Sequence, residues 1–385
     1  MIINQSFNQA AKMSRCQETD TPLVSVIIPA YNAEHFIAKT LESVINQTYK
    51  SIEVLVVDDG SSDRTAEIVN QISQNDSRIV LLQQSNLGVA AARNLAIQTA
   101  KGEFIAPIDA DDIWYRTNLE KQVCCLLQAP ASVGLVYSWS ADIDEADWQT
   151  GEYRASLIEG SVFRTLLCHY FLGNASSTLI RRSCLERVGN YNCNFKQQNA
   201  QGCEDWDLYL RIAEHYQFRV VPEFLVGYRK LPASMSRDFT SMAKSHALML
   251  RAIRQKYSDI PALIYRLSSS SFYLYLARQS YQGKNYLASL FWLTAAFKID
   301  FTTSLLRPGF YILLMMNFFG MITDSLATKC FRGARLTSSL RLNRKVVSTS
   351  PEFINSKADI RIKLLIERSL HRWMQGNQFN TSLDG

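Results

Sequence analysis

Three clusters of acidic and turn-forming residues are where this chain concentrates its reactive groups. PAYNAE (29–34) follows an apolar run, VVDDGSSDRT (56–65) ends a second, and IDADD (108–112) ends a third. In the last, three carboxylates fall within four residues, and Asp109 and Asp111 can approach one hard cation from a turn. A Mg²⁺ or Mn²⁺ ion takes one or two carboxylates and completes its shell with water and substrate phosphates, so the pattern implies a phosphate-bearing substrate. An isolated Asp-Gly-Ser more often caps a turn, but three such clusters at three successive strand ends are harder to assign to turns alone. A fourth acidic pair, Glu204-Asp205, opens an amphipathic helical pattern over 205–214. There the plain role is to complement the helix dipole.

The elements that position these clusters are legible in the hydrophobic pattern. LVSVII (23–28) and IEVLVV (52–57) are nearly continuous apolar runs, as expected of strands covered on both faces of a parallel sheet. Between them Ile37, Leu41 and Val44 recur at helical spacing. A helix after Asp63, a strand at 79–83, a helix from 88 to 100 and a strand at 104–108 continue the alternation. The order β-α-β-α-β-α-β predicts a doubly wound α/β domain with a mainly parallel sheet, which binds ligands at the carboxyl ends of its strands. No GxGxxG follows the first strand and no GxxxxGK[ST] occurs anywhere, which removes the phosphate cradle of a dinucleotide oxidoreductase or P-loop phosphotransferase and disfavours a nucleotidyltransferase.

The motifs VSVIIPAYNAEHFIAKTLESVINQTYKSIEVLVVDDGSSDRT, SNLGVAAARN (85–94), IDADD (108–112) and EDWDLYLRIA (204–213) resemble, in order, those of family 2 glycosyltransferases with the GT-A fold. The likeness covers residues 22–236. It implies transfer of a sugar from a nucleotide-sugar donor to a saccharide or lipid-linked acceptor, with inversion at the anomeric carbon and a divalent metal cofactor, Mg²⁺ or Mn²⁺. By the resemblance, Pro29, Tyr31, Glu34 and Asp59 flank the nucleotide base, Arg93 lies near the nucleotide, and Asp109 faces the ribose. Asp111, with Asp109, holds the metal, and Asp205 is the base, with Glu204 as the alternative. One departure stands out: where family members often carry a histidine in YRxHxxSxS, this chain reads YRKLPASMS (228–236), with Leu231. Leucine ligates no cation. Three readings stay open: the metal keeps more water, Arg229 and Lys230 contact the diphosphate, or activity is weakened. A nucleotide-sugar-binding protein without turnover is therefore the alternative function.

The 385 residues are 47% hydrophobic and 20% charged, an ordinary globular composition that excludes general disorder and a disulfide-stapled miniature scaffold. Eight cysteines without a CxxC pair read as reduced structural thiols. Residues 1–21 read as a loose tail without a signal peptide, which predicts a cytoplasmic protein. Charge is uneven: residues 1–235 carry 20 Lys/Arg against 27 Asp/Glu, a net of −7, and residues 236–385 carry 21 against 8, a net of +13. The second part, 237–385, reads as a basic helical region. It has a hairpin over 272–298 turning at Gly283, an uncharged run at 308–323 too short and interrupted to span a bilayer, and an amphipathic helix whose stripe is Ile362, Ile366, Leu370 and Trp373. Nucleic-acid motifs are absent. Two readings stay open for these helices: peripheral attachment to the anionic cytoplasmic face of a membrane, or packing against the catalytic domain. Residues 190–203 read as a loop over the acceptor. His169, His215, His246, Trp139, Trp148 and Trp206 read as packing or surface residues rather than ligands.

Overall fold

The computed structural model describes residues 21–231, 237–330 and 358–376. β1 (Val24–Ala30), α1 (Ile37–Ile45), β2 (Ile52–Asp58), α2 (Thr65–Ser73), β3 (Ile79–Gln83), α3 (Val89–Thr99) and β4 (Phe104–Pro107) alternate as the apolar pattern predicts. Successive strand side chains point to opposite faces. Val24, Val26 and Ile28 share one core with Ile37, Leu41 and Val44 of α1, while Ile27 joins Ala92 and Ala96 of α3 in the other. Both faces of β1 are thus buried, which explains its continuous apolar run. β2, β1 and β4 lie side by side and parallel, with Val54, Val26 and Ala106 in register. Their carboxyl ends therefore open on one edge of the sheet.

The rest of the sheet is built differently. After β5 (Ile113–Trp114), α4 (Asn118–Leu127), β6 (Val133–Ile143), β7 (Gln149–Arg154) and α5 (Phe163–Cys168), β8 (Thr178–Arg181) enters antiparallel to both β4 and β6. Helices α6 (Arg182–Val188), α7 (Asn194–Gln197) and α8 (Glu204–Ala213) precede β9 (Gln217–Arg229), which runs parallel to β6 and antiparallel to β5. The nine strands follow the order β3-β2-β1-β4-β8-β6-β9-β5, with β7 beside β6. The strands run strictly parallel through β4; beyond it β5, β7 and β8 pair antiparallel, while β6 and β9 run parallel.

Beyond residue 236 the helices are α9 (Phe239–Lys256), α10 (Ala262–Gln282), α11 (Tyr286–Ile299), α12 (Phe301–Leu305), α13 (Pro308–Cys330) and α14 (Ala358–Gly376). The hairpin turns at Gly283 and Lys284, with Asn285 capping the next helix through the Ala288 N–H at 3.1 Å; its first arm starts ten residues earlier than the sequence suggests. Met249, Leu250, Phe272, Leu276, Leu293 and Met374 enter the same core as Ile27 and Leu55, so these helices pack on the catalytic sheet. His246 stacks on Phe272 at 4.3 Å between ring centroids, and burial pushes its imidazole down to about 3, the behaviour of a packing residue. The boundary expected at 236 and the tail before residue 21 lie outside the described residues.

Two helices turn unexpected faces outward. In α14 the row that packs inward is Ile360, Leu364, Glu367, His371 and Met374; Ile362, Ile366 and Trp373 of the predicted stripe are exposed. Two polar side chains sit on the buried row because partners wait there: Thr165 Oγ1 lies 2.7 Å from His371 Nδ1, and His169 Nε2 lies 3.2 Å from Glu367. In α13, among the described side chains (308–323), Phe310, Leu313 and Asn317 are buried, and Ile312, Met315, Phe318 and Phe319 face solvent. Among the described residues no helix is long and apolar enough to cross a membrane.

Candidate active site

The donor-side clusters are assembled by loops that brace one another. Asp59 follows β2 and is buried; its carboxylate accepts the N–H groups of Leu87 and Gly88, each at 2.8 Å, and the Gln84 side-chain amide at 2.7 Å. It therefore fixes the SNLGVA turn before α3. Close approach requires glycine at both contacts: Gly60 and Gly88 have φ of +75° and +93°, and a Cβ on Gly60 would lie 2.9 Å from the Asn86 nitrogen. Glu34 stands off the cavity wall and accepts the Arg64 N–H at 3.1 Å. Pro29 and the half-exposed Tyr31 line the cavity directly.

Arg93 links the distant motifs. Its guanidinium is buried and donates to Asp205 Oδ1 and Asp109 Oδ1, both at 2.6 Å, while lying 5.1 Å from the Tyr191 ring centre. Asp205 stands at the N-terminus of α8, whose inward face carries Trp206, Leu208 and Tyr209 into the core that holds Ala92 and Ala96 of α3. The core that α3 and α8 share thus brings residues 93 and 205 together. Burial raises the Asp205 carboxyl to about 7, with Asp109 and Glu204 pushing the same way and Arg93 restraining the rise. Glu204 is buried deeper and accepts the Gly202 N–H at 2.8 Å, holding the loop that leads into the helix; burial raises its carboxyl as well.

The three acids of IDADD separate in role. Asp112 is fully buried, accepting Ser176 Oγ at 2.5 Å and the Arg229 N–H at 2.8 Å, so it fastens the turn between β4 and β5 to the end of β9. Asp109 and Asp111 face the cavity. Burial and the neighbouring Asp109 lift Asp111 to about 6, the mark of a carboxylate short of positive charge. Among the described residues no three acid, histidine or cysteine side chains converge as a metal cage. Two hard oxygen donors without a third suit a cation that takes its remaining ligands from phosphate and water.

These residues line one cavity of about 890 Å³. Leu231 also lines it, whereas the Arg229 guanidinium is spent on the carbonyls of Asp111 and Asp144, each at 2.6 Å, and on Asp147 at 2.6 Å. Lys196 and Gln201 bring the 190–203 segment to the cavity; it contains α7 and is tied down by Lys196 to the Asn86 carbonyl at 2.9 Å. Trp206 lines the cavity with its ring but donates its indole N–H to the Leu166 carbonyl, and Trp139 is buried, both as packing residues. His169, read from sequence as a packing or surface residue, stands on the wall. The far end adds residues that sequence reasoning did not select: Arg154 of β7, Tyr228 of β9, Tyr275 of α10, and Lys363 and Glu367 of α14. No local pattern marks them; only the folding of α10 and α14 over the sheet edge places them there.

A curled α/β sheet that gathers acids at parallel strand ends and faces them with an acidic helix N-terminus defines the GT-A class of nucleotide-sugar transferase. The family described as Glycosyl transferase family 2 matches residues 25–189. An uncharacterized glycosyltransferase of Methanocaldococcus jannaschii, MJ1057, is 32% identical over 219 residues, covering 55% of this chain and 72% of that protein. The chain belongs to glycosyl transferase family 2. The Escherichia coli UDP-Glc:alpha-D-GlcNAc-diphosphoundecaprenol beta-1,3-glucosyltransferase WfgD is 49% identical over 110 residues, 28% of this chain and 43% of its own length. The crystal structure of S. aureus TarS 1-349 shares the fold with a TM-score of 0.50 at 18% identity, covering 81% of this chain and 93% of that one.

Proposed function

We propose that this chain transfers a sugar, with inversion, from a nucleotide-sugar donor to a lipid-linked saccharide, and that Asp205 is the base. The observation that carries this reading is the Arg93 clamp, which holds Asp109 on the donor side and Asp205 on the facing side of one cavity. In the reaction the acceptor oxygen bonds to the anomeric carbon from the face opposite the leaving group. The bond from that carbon to the donor phosphate breaks, its electron pair departs with the nucleoside diphosphate, and the acceptor proton passes to Asp205. A carboxyl near 7 suits that task at neutral pH. Pro29 and Tyr31 flank the base of the nucleotide, and Asp59 shapes the loop beneath it. Asp111 and Asp109 would hold a Mg²⁺ or Mn²⁺ ion, which supplies positive charge for the departing diphosphate.

The WfgD likeness supports a lipid-linked acceptor. The exposed apolar face of α13, with Leu287 and Phe291 of α11, beside a region of net charge +13, supports peripheral attachment to the anionic cytoplasmic leaflet. A second reading, donor binding without turnover, draws on Leu231 in the cavity wall.

A thermal-shift screen of nucleotide sugars with Mn²⁺ or Mg²⁺ tests the donor half, since a ligand bound to the fold raises its melting temperature. One nucleotide sugar is expected to stabilise the chain more with metal than without; no response to any of them would remove the reading.

A further inference from the structure

A second hollow of about 570 Å³ lies between α10 and α14. Leu267, Ile362, Ile366, Leu370 and Met374 give it apolar walls, and Arg307 stands at its side. It adjoins the larger cavity: Cys168, His169, Ser271, Lys363 and Glu367 line both. At its outer rim Ile362 and Ile366 are 57% and 64% exposed, so the groove runs from the reaction centre to open apolar surface.

The charges at the junction are unbalanced toward an anion. Arg307 makes no salt bridge among the described residues, and Lys363 reaches Glu367 only at 3.8 Å, while Glu367 is shared with His169 at 3.2 Å. Burial lowers the affinity of both Lys363 and Arg307 for their protons, outweighing Glu367 and Glu152 near the first and Asp300 near the second. An occupant with an anionic head and a hydrocarbon tail satisfies both ends of this groove at once. Because the groove shares a wall of five residues with the larger cavity, an occupant's head would stand beside that cavity.

We infer that the groove between α10 and α14 holds the hydrocarbon chain of a lipid-diphosphate acceptor, with Lys363 and Arg307 beside its diphosphate. The inference rests on the sugar-transfer reading and adds the lipid subsite. It also accounts for α14: the exposed row of Ile362 and Ile366 guides the chain outward, toward the apolar faces that α13 leaves uncovered.

Farnesyl diphosphate serves as a sugar-free probe, with inorganic pyrophosphate and farnesol as its separated halves. Titration into the full chain is expected to show farnesyl diphosphate binding at least tenfold tighter than either half. Ile362→Asp/Ile366→Asp changes only exposed side chains; it is expected to keep its melting temperature and lose at least tenfold in farnesyl diphosphate affinity. Arg307→Gln is expected to weaken farnesyl diphosphate but not farnesol. A diazirine placed in the hydrocarbon chain is expected to label α14 peptides. Equal affinity for farnesyl diphosphate and pyrophosphate, unchanged affinity in the double variant, or labelling confined elsewhere would overturn the assignment. So would loss of a dimer in the double variant, which would make the groove a contact between two copies. Farnesyl diphosphate binding that persists when no nucleotide sugar binds would retain the subsite and remove the sugar-transfer reading, so the two failures are separable.

Discussion

The two walls of the cavity differ in charge and in construction: one is acidic, and the other sets cations beside Glu367. The strand-end wall is acidic: Asp59 follows β2 by one residue, and Asp109 and Asp111 follow β4 by two and four. The far wall carries Arg154, His169 and Lys363 from a short strand, a helix end and the last described helix, more than 200 residues apart in the chain. Arg93 sits between them as a buried cation shared by two acids. The difference teaches that the strand-end acids, proposed to handle phosphate, are fixed by backbone register, and the groups of the far wall by helix packing. Register tolerates no slip, because one residue turns every side chain to the other face; packing can vary with the acceptor.

The comparison breaks most visibly at Asp205. Asp205→Asn is expected to lower kcat by about 10³-fold or more, within the range a general base supplies, while nucleotide-sugar affinity changes by less than about threefold. Steady-state transfer assays and donor titrations read both; equal loss of affinity would make Asp205 a binding residue. Arg93→Met tests the joint between the walls. Removing one partner of a buried charge pair costs about 3–5 kcal/mol, so denaturant unfolding is expected to show a loss of that size. The pH limb of kcat/KM is also expected to move to higher pH, since Asp205 loses the cation that restrains its rise.

Asp111→Ala is expected to abolish stimulation by Mg²⁺ or Mn²⁺ while the melting temperature of the unliganded chain is maintained. Its carboxyl is already strained by burial and by Asp109. A metal titration of activity reads this, and unchanged dependence would contradict the donor-wall assignment. In the unaltered chain, kcat/KM is expected to rise about tenfold per pH unit below pH 7 and flatten above it, because Asp205 accepts a proton only when ionised and its carboxyl lies near 7.

The smallest effect belongs to the core that joins the walls. His246 has its pKa depressed to about 3 in the fold against 6.5 as its ordinary value. The unfolded chain therefore binds more protons below about 6.5, so stability is intact above that pH and drains as pH falls toward 3. His246→Phe is expected to reduce that acid loss with little change at pH 8, as read by melting temperatures across the range.

Much of the donor wall was legible in the residues themselves. Asp109, Asp111, Arg93 and Asp205 were singled out by motif, and the structure brings all four to one cavity. Asp59 and Glu34 were singled out too, yet both spend their carboxylates on neighbouring backbone. A motif records that a residue type is required, without recording whether a ligand or a loop requires it. The predicted stripe of α14 illustrates the same gap. Apolar spacing located the helix, but Glu367 and His371 turn inward because His169 and Thr165 meet them.

From its amino acids alone this chain determined its buried strands, the acids at their ends and the family to which it belongs, because continuous apolar runs and turn chemistry act over a few neighbouring residues. The tertiary structure decided that Arg93 bridges Asp109 and Asp205, that Asp112 fastens strands instead of facing the cavity, and that α10 and α14 close the far wall around an apolar groove. Those outcomes depend on which helix faces meet across long loops, and such contacts leave no periodic trace in the sequence.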